Sequence, residues 1–197
     1  MNKKLLVVSI AIEVISLAAL FFLLRQPGLP EAASVILVFC LPITFGLHVF
    51  EEFVFPGGGA DWFRRDRPQF TQAMTDSYFF NVNAIPLVLS LLVTLGTFNF
   101  TGGFSFFGIR AWLAFLCFQA IHVGFSHLRG AIKARRYSPG MATGIALYLP
   151  LTIMAFVTLL RSGILDPVLA IVCIGLGYLI LVFLDRLKMA RQSAAAQ

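Results

Sequence analysis

Apolar segments of about 20 residues follow one another along this chain of 197 residues and constrain its fold more than any other feature. A helix needs about 20 residues to cross a hydrocarbon core roughly 30 Å thick. Hydrophobic residues make up 59% of the sequence and charged residues only 12%, whereas soluble domains carry roughly 25% charged residues. The sequence therefore predicts an all-α polytopic membrane protein, a single integral membrane domain over residues 1–197 with a bundle of six transmembrane helices. We place these helices at about 4–24, 33–55, 75–97, 108–132, 140–160 and 165–185.

The net charge of +6 is explained by the distribution of basic residues between the predicted loops. When successive loops are assigned to alternate sides of the membrane, all but three of the 15 Lys and Arg residues fall on one side. The exceptions are Arg25, Arg110 and Arg161. Because short cytoplasmic loops carry an excess of positive charge, we expect both termini and the two basic loops to be cytoplasmic. No nucleic-acid partner is needed to explain the basic residues.

Three ionisable residues, His48, Glu51 and Glu52, lie within five positions of the second predicted helix. A charged residue inside a transmembrane helix costs about 2.5–3.5 kcal/mol on insertion scales, so such a group calls for a functional reason. At helical spacing, Glu51 is at i+3 and Glu52 at i+4 from His48, which places all three within an arc of roughly 100°. That arrangement can hold a metal ion, move a proton or stabilise a cation.

Further polar residues are predicted at the same side and depth of the membrane. The third helix begins at the cytoplasmic side, the fourth helix ends there, and a turn containing Tyr137 follows. Intramembrane polar groups are expected to face a cavity or one another. His122 and His127 are five residues apart and would diverge by about 140° in a regular helix, so spacing alone leaves open which of them joins the site. The residues expected to line it are Asp76, Asn83, His122 and Arg129.

Two chemistries suit this group of residues. Histidine with carboxylates suits a divalent metal such as Zn, Fe or Mn, and the predicted ligands are His48, Glu51, Glu52 and His127. Without a metal, the adjacent carboxylates repel each other, so one would retain a proton and serve as a general acid. In either chemistry Glu51, Glu52 and Tyr137 are the predicted catalytic groups. A structural alternative is a cluster of salt bridges with Arg129 or the basic loop 64–67.

The segment 47–57, which contains His48, Glu51 and Glu52, resembles the signature of the HXXEE-motif family of bacterial membrane proteins. The sequence Tyr137-Ser138-Pro139-Gly140, followed by Thr143, resembles the second conserved block of that family. The resemblance implies a bacterial inner-membrane protein of unassigned function, and it favours His127 over His122 as the partner of the motif. His48 and Glu52 also bear a weaker likeness to the His/Glu pair of the sterol Δ8-Δ7 isomerase superfamily, which stabilises a carbocation in a lipid-accessible cavity.

Together these features predict a membrane-embedded, metal-dependent enzyme that acts on a lipidic or isoprenoid-like substrate near the cytoplasmic side. Its expected partners are membrane lipids and a lipophilic small molecule. One alternative is a metal-free isomerase or cyclase that uses Glu/His acid–base chemistry. Another is a small proton-coupled transporter that uses the same carboxylates, or a structural membrane protein. The sequence has no visible inverted repeat, which counts against the transporter. The sequence leaves the substrate, the reaction and the oligomeric state open.

Overall fold

A computed structural model describes residues 3–25, 32–66, 75–98, 105–123 and 127–163, and further on residues 168, 171–172, 174–179 and 182–183. Its helices are α1 (Lys3–Leu23), α2 (Ala32–Phe53), α3 (Gly59–Asp66), α4 (Asp76–Leu95), α5 (Phe106–Val123), α6 (Arg129–Ala134) and α7 (Met141–Arg161). Five of them, namely α1, α2, α4, α5 and α7, are long and apolar enough to cross a membrane. The predicted all-α membrane class is confirmed.

The sixth predicted span, 165–185, lies partly outside the described residues. Those of its residues that the structure describes are helical. The count of six spans therefore stays a prediction. The fourth predicted span, 108–132, corresponds to α5 and α6. The two residues just before α6, His127 and Leu128, are in π-helical conformation. The short helix α3 lies between the second and third predicted spans, and its Trp62 is buried.

Helix α2 lies at the centre of the bundle and packs against α1, α4 and α7. Pro42 stands inside α2 and has no N–H, so the carbonyl of Val38, four residues earlier, loses its helical partner. The indole Nε1 of Trp112 in α5 donates to this carbonyl at 3.0 Å, and the hydroxyl of Thr94 in α4 approaches it at 3.5 Å. The carbonyl that Pro42 leaves without a helical partner thus forms a polar link between α2, α4 and α5.

Apolar side chains surround this link and leave α1 with a lipid-facing surface. The buried core contains Leu41, Phe45, Leu87 and Leu116. The exposed side of α1 is also apolar, with Val7, Ile10, Val14, Leu17 and Phe21 each about half or more exposed. A helix whose exposed side is apolar is typical of a membrane span. The central position of α2 carries its C-terminal residues into the protein interior.

Candidate metal centre

His48, Glu52 and His127 form a buried cluster at the C-terminal end of α2. Each offers one ligand atom, and these three atoms lie within 4.8 Å of one another. His48 Nε2 is 3.7 Å from Glu52 Oε2, one helical turn along α2. The imidazole rings of His48 and His127 meet edge to face with their centroids 4.9 Å apart. All three residues are at most 3% exposed, so water has little access to the point on which they converge.

Hydroxyl groups hold the two imidazole rings through their Nδ1 atoms. His48 Nδ1 lies 2.9 Å from Thr143 Oγ1, and His127 Nδ1 lies 3.3 Å from Ser138 Oγ. Thr143 donates its own proton to the carbonyl of Gly140 at 3.2 Å, so its oxygen accepts from His48 Nδ1–H. That tautomer leaves the Nε2 lone pair of His48 free to bind a cation.

The donor set fits a divalent transition metal. The Nε2 atoms of both His48 and His127 are buried and have no hydrogen-bond partner among the described residues. Metal-binding histidines characteristically have their second ring nitrogen hydrogen-bonded, as Thr143 and Ser138 provide here. Two imidazoles and one carboxylate are the ligands of His₂Glu zinc sites and of non-haem iron sites, both of which leave coordination positions open.

Gly140 lies between the two rings and admits no side chain. Its φ of +89° is in the region that favours glycine. A Cβ atom there would stand 2.6 Å from Cε1 of His48 and 2.9 Å from Cε1 of His127. The close approach of this backbone to both imidazoles lets the turn 137–140 seal one side of the cluster.

Glu51 is not one of the three clustered ligands and instead binds the start of α7. Its carboxylate accepts the phenol O–H of Tyr137, and it accepts backbone N–H groups from Gly140 at 3.1 Å, Ala142 at 3.0 Å and Thr143 at 2.7 Å. A carboxylate at a helix N-terminus is favoured by the unpaired N–H groups and the helix dipole. Burial and the hydrogen bond to Glu51 raise the pKa of Tyr137 to about 12, so the phenol remains a donor at neutral pH.

The model of a family described as "Protein of unknown function with HXXEE motif" matches residues 39–155, more than half of the chain. The chain belongs to the HXXEE-motif family. The matched region contains the three cluster residues and the turn 137–143. No curated protein and no solved structure is detectably similar to the chain, so the likeness to sterol isomerases has no support.

The HXXEE motif thus divides into two parts in the structure. Its histidine and its second glutamate, His48 and Glu52, belong to the cluster of potential ligands. Its first glutamate, Glu51, was expected among the ligands but instead binds Tyr137 and the backbone at the start of α7. Residues i+3 and i+4 from His48 differ by about 100° in direction, which is enough to send the two carboxylates to different partners.

The other residues predicted to line the site are placed differently. His122 has its ring centroid 5.8 Å from that of His127 but is not one of the three clustered ligands. Asn83 is buried and donates to the carbonyl of Phe79 in its own helix at 2.8 Å. Asp76 is exposed and pairs with Arg64 at 3.1 Å, and Arg129 is exposed at the first position of α6. Arg64 pairs also with Asp61, so this basic segment has carboxylate partners outside the HXXEE motif.

Two features of the site escaped the sequence reasoning. The N-cap of α7 is Gly140, and Glu51 accepts N–H groups at the start of that helix, while the Ser138 hydroxyl hydrogen-bonds His127. Tyr148 lies edge-on to His48 with ring centroids 5.7 Å apart. It is the last residue of a π-helical turn, Gly144–Tyr148, which ordinary helical spacing does not reveal.

Proposed function

We propose that this protein is a membrane-embedded, metal-dependent enzyme that acts on a lipidic substrate near the cytoplasmic side of the bacterial inner membrane. His48, Glu52 and His127 would be the ligands of a Zn, Fe or Mn ion. The observation that carries the proposal is the pair of buried Nε2 atoms without a partner in the described part of the chain, which converge with a buried carboxylate. Intramembrane ionisable residues are costly and usually functional.

The residues around such an ion would have different roles. When bound, the ion supplies a Lewis acid that polarises an oxygen of the substrate. Thr143 and Ser138 fix the directions of the two rings, and Gly140 closes one side of the cluster. Glu51 anchors the segment that carries all three of these residues. In this proposal Glu51 is a positioning residue, and Tyr137 completes its set of donors.

Membrane location favours a lipidic substrate and an approach from the cytoplasmic side. The cluster lies at the end of the central helix of an apolar bundle, so a substrate that enters from the bilayer must itself be lipophilic. Phe63 of α3 has its ring 5.6 Å from that of His127, so α3, which carries Arg64 and Arg65, lies at the same end of α2 as the cluster. Basic segments are enriched on the cytoplasmic face.

Metal analysis of the purified protein tests the proposal. We expect about one Zn, Fe or Mn ion per wild-type chain and loss of that ion in Glu52→Gln, which keeps the shape of the side chain but removes its charge. Metal affinity should fall by more than about a hundredfold, since even changes outside the ligand set commonly cost 10–100-fold. The protein should be purified without a polyhistidine tag, and folded yield should be checked by size-exclusion chromatography.

Glu13→Gln is the matched control. Glu13 is a carboxyl in α1 beside Gly46, on the side of α2 opposite His48, and the substitution is chemically the same. The control should keep the ion. A wild-type protein that binds none of the three metals, or a Glu52→Gln variant that keeps its ion, would overturn the metal assignment. In the former case, activity sensitive to Glu52→Gln would favour the metal-free acid–base alternative.

A further inference from the structure

Tyr148 and Gln119 place two more unpartnered polar groups in the interior. Tyr148 is 1% exposed and Gln119 is 2% exposed. The Tyr148 hydroxyl and the Gln119 Nε2 both have no hydrogen-bond partner in the part of the chain that the structure describes. Buried polar groups are normally satisfied, and those that are not need a specific explanation. Neither group has a part in holding the imidazoles or the turn 137–143.

Both groups can be placed relative to the cluster. The ring of Tyr148 meets His48 edge-on at 5.7 Å. Helix α5 packs against the π-helical turn of α7, and the Val123 side chain occupies the space where a Cβ on Gly144 would be. Gln119 is one turn before Val123, and Tyr148 is one π turn after Gly144. The two membrane-spanning helices α5 and α7 follow each other in the chain and run in opposite directions. The contact of Val123 with Gly144 therefore places Gln119 and Tyr148 at the same height along the bundle.

We propose that Tyr148 and Gln119 bind an oxygen atom of the substrate beside the metal cluster. The inference rests on the proposed function and deepens it by naming the substrate class. An amide Nε2 is only a donor, whereas a phenol is both donor and acceptor. The ligand atom that satisfies both is an acceptor oxygen, as in a long-chain alcohol, ether or carbonyl compound. A pure hydrocarbon would leave both groups unpaired, so the substrate class is an oxygenated lipophile.

The position of this oxygen connects binding with chemistry. Tyr148 contacts the same imidazole whose Nε2 points into the cluster. A substrate oxygen held by the Tyr148 hydroxyl would therefore lie near the cluster, where a metal held by three ligands would have room for a further one. The rest of the molecule would extend into apolar surroundings. Sites that hydrogen-bond an oxygen discriminate strongly against analogues that lack it, because their own polar groups are then left unpaired.

Binding of 1-decanol, compared with decane of the same chain length, tests the inference. Each probe is titrated into the purified full-length protein in detergent, and the apparent Kd is obtained from the rise in melting temperature. We expect 1-decanol to stabilise the wild type. Tyr148→Phe and Gln119→Met keep the volume but remove one hydrogen bond, so each should weaken 1-decanol binding about tenfold. Decane binding should be the same in all variants, which corrects for partition into detergent.

Tyr178→Phe is the matched control, because it deletes the same atom from a side chain that is 49% exposed. It should bind 1-decanol as the wild type does. Unchanged 1-decanol affinity in both Tyr148→Phe and Gln119→Met would overturn the inference, as would equal effects on 1-decanol and decane. The readout needs no metal, so metal content measured on the same samples separates the two proposals. Unchanged 1-decanol affinity in both variants, in samples that hold their ion, refutes only this inference and leaves the metal assignment standing.

Discussion

Gly140 illustrates how a single residue can decide whether the cluster forms. Its Cα lies between two imidazoles, and its φ is +89°. We predict that Gly140→Ala loses the metal ion, because the new methyl group must push at least one ring out of position. The strained backbone should cost about 1–2 kcal/mol as well, which lowers the melting temperature by roughly 2–8 °C in a chain of this size. Metal content and thermal melting are measured together.

Gly163→Ala separates the two effects. Gly163 has a φ of +70°, but no atom of the described residues lies within 4 Å of a Cβ placed on it. This variant should show a similar fall in melting temperature and keep its ion. If both variants keep the ion equally well, the rings are not held as tightly by the turn as the structure indicates.

Helical periodicity was sufficient to place His48 and Glu52 on one side of α2, because both lie in a regular helix four residues apart. It failed for His122 and His127. A regular helix would turn their side chains about 140° apart, yet their ring centroids are 5.8 Å apart. His127 is in π-helical conformation, so the spacing of a regular α-helix does not apply to it. Contacts across the bundle, such as Gly140 against both rings, have no sequence spacing to reveal them.

At the scale of elements, the start of α7 depends on a carboxylate from α2. Glu51 accepts three backbone N–H groups and the Tyr137 phenol, and the anchored segment supplies the hydroxyls that orient both histidines. In Glu51→Gln, one oxygen becomes an NH₂ group that meets donors instead of accepting from them. We predict a 10–100-fold weaker metal affinity, the loss typical of changes beyond the ligands, while a full equivalent still binds at excess metal.

Competitive titration with a chelator of known affinity measures this effect. Hydrogen exchange of residues 137–143 should rise in the same variant, because their amides lose an acceptor. Glu52→Gln should show the opposite pattern, with metal binding abolished and exchange at 137–143 nearly unchanged. If Glu51→Gln instead abolishes binding as completely as Glu52→Gln, then Glu51 is itself a ligand, as the sequence alone suggested.

At the scale of the whole molecule, the number of spans sets the side on which the chain ends. Among the described residues, five helices are long and apolar enough to cross a membrane, and the sequence adds a sixth apolar segment at 165–185. Basic residues follow that segment at Arg186, Lys188 and Arg191, and others precede the first span at Lys3 and Lys4. Because positive charge favours the cytoplasmic side, both basic ends are expected in the cytoplasm, which requires an even number of spans.

Reporter fusions at two positions test the six-span topology. We predict that green fluorescent protein fused after residue 197 is fluorescent, which requires a cytoplasmic location, and that alkaline phosphatase there is inactive. When the reporters are fused after Gly163, at the end of the fifth span, green fluorescent protein should be dark and alkaline phosphatase should be active. A five-span protein with a cytoplasmic N-terminus would instead report the outer side at both positions. An inverted protein with six spans would be fluorescent only after Gly163, and one with five spans would be fluorescent at both positions. In either case the cluster of His48, Glu52 and His127 would face away from the cytoplasm.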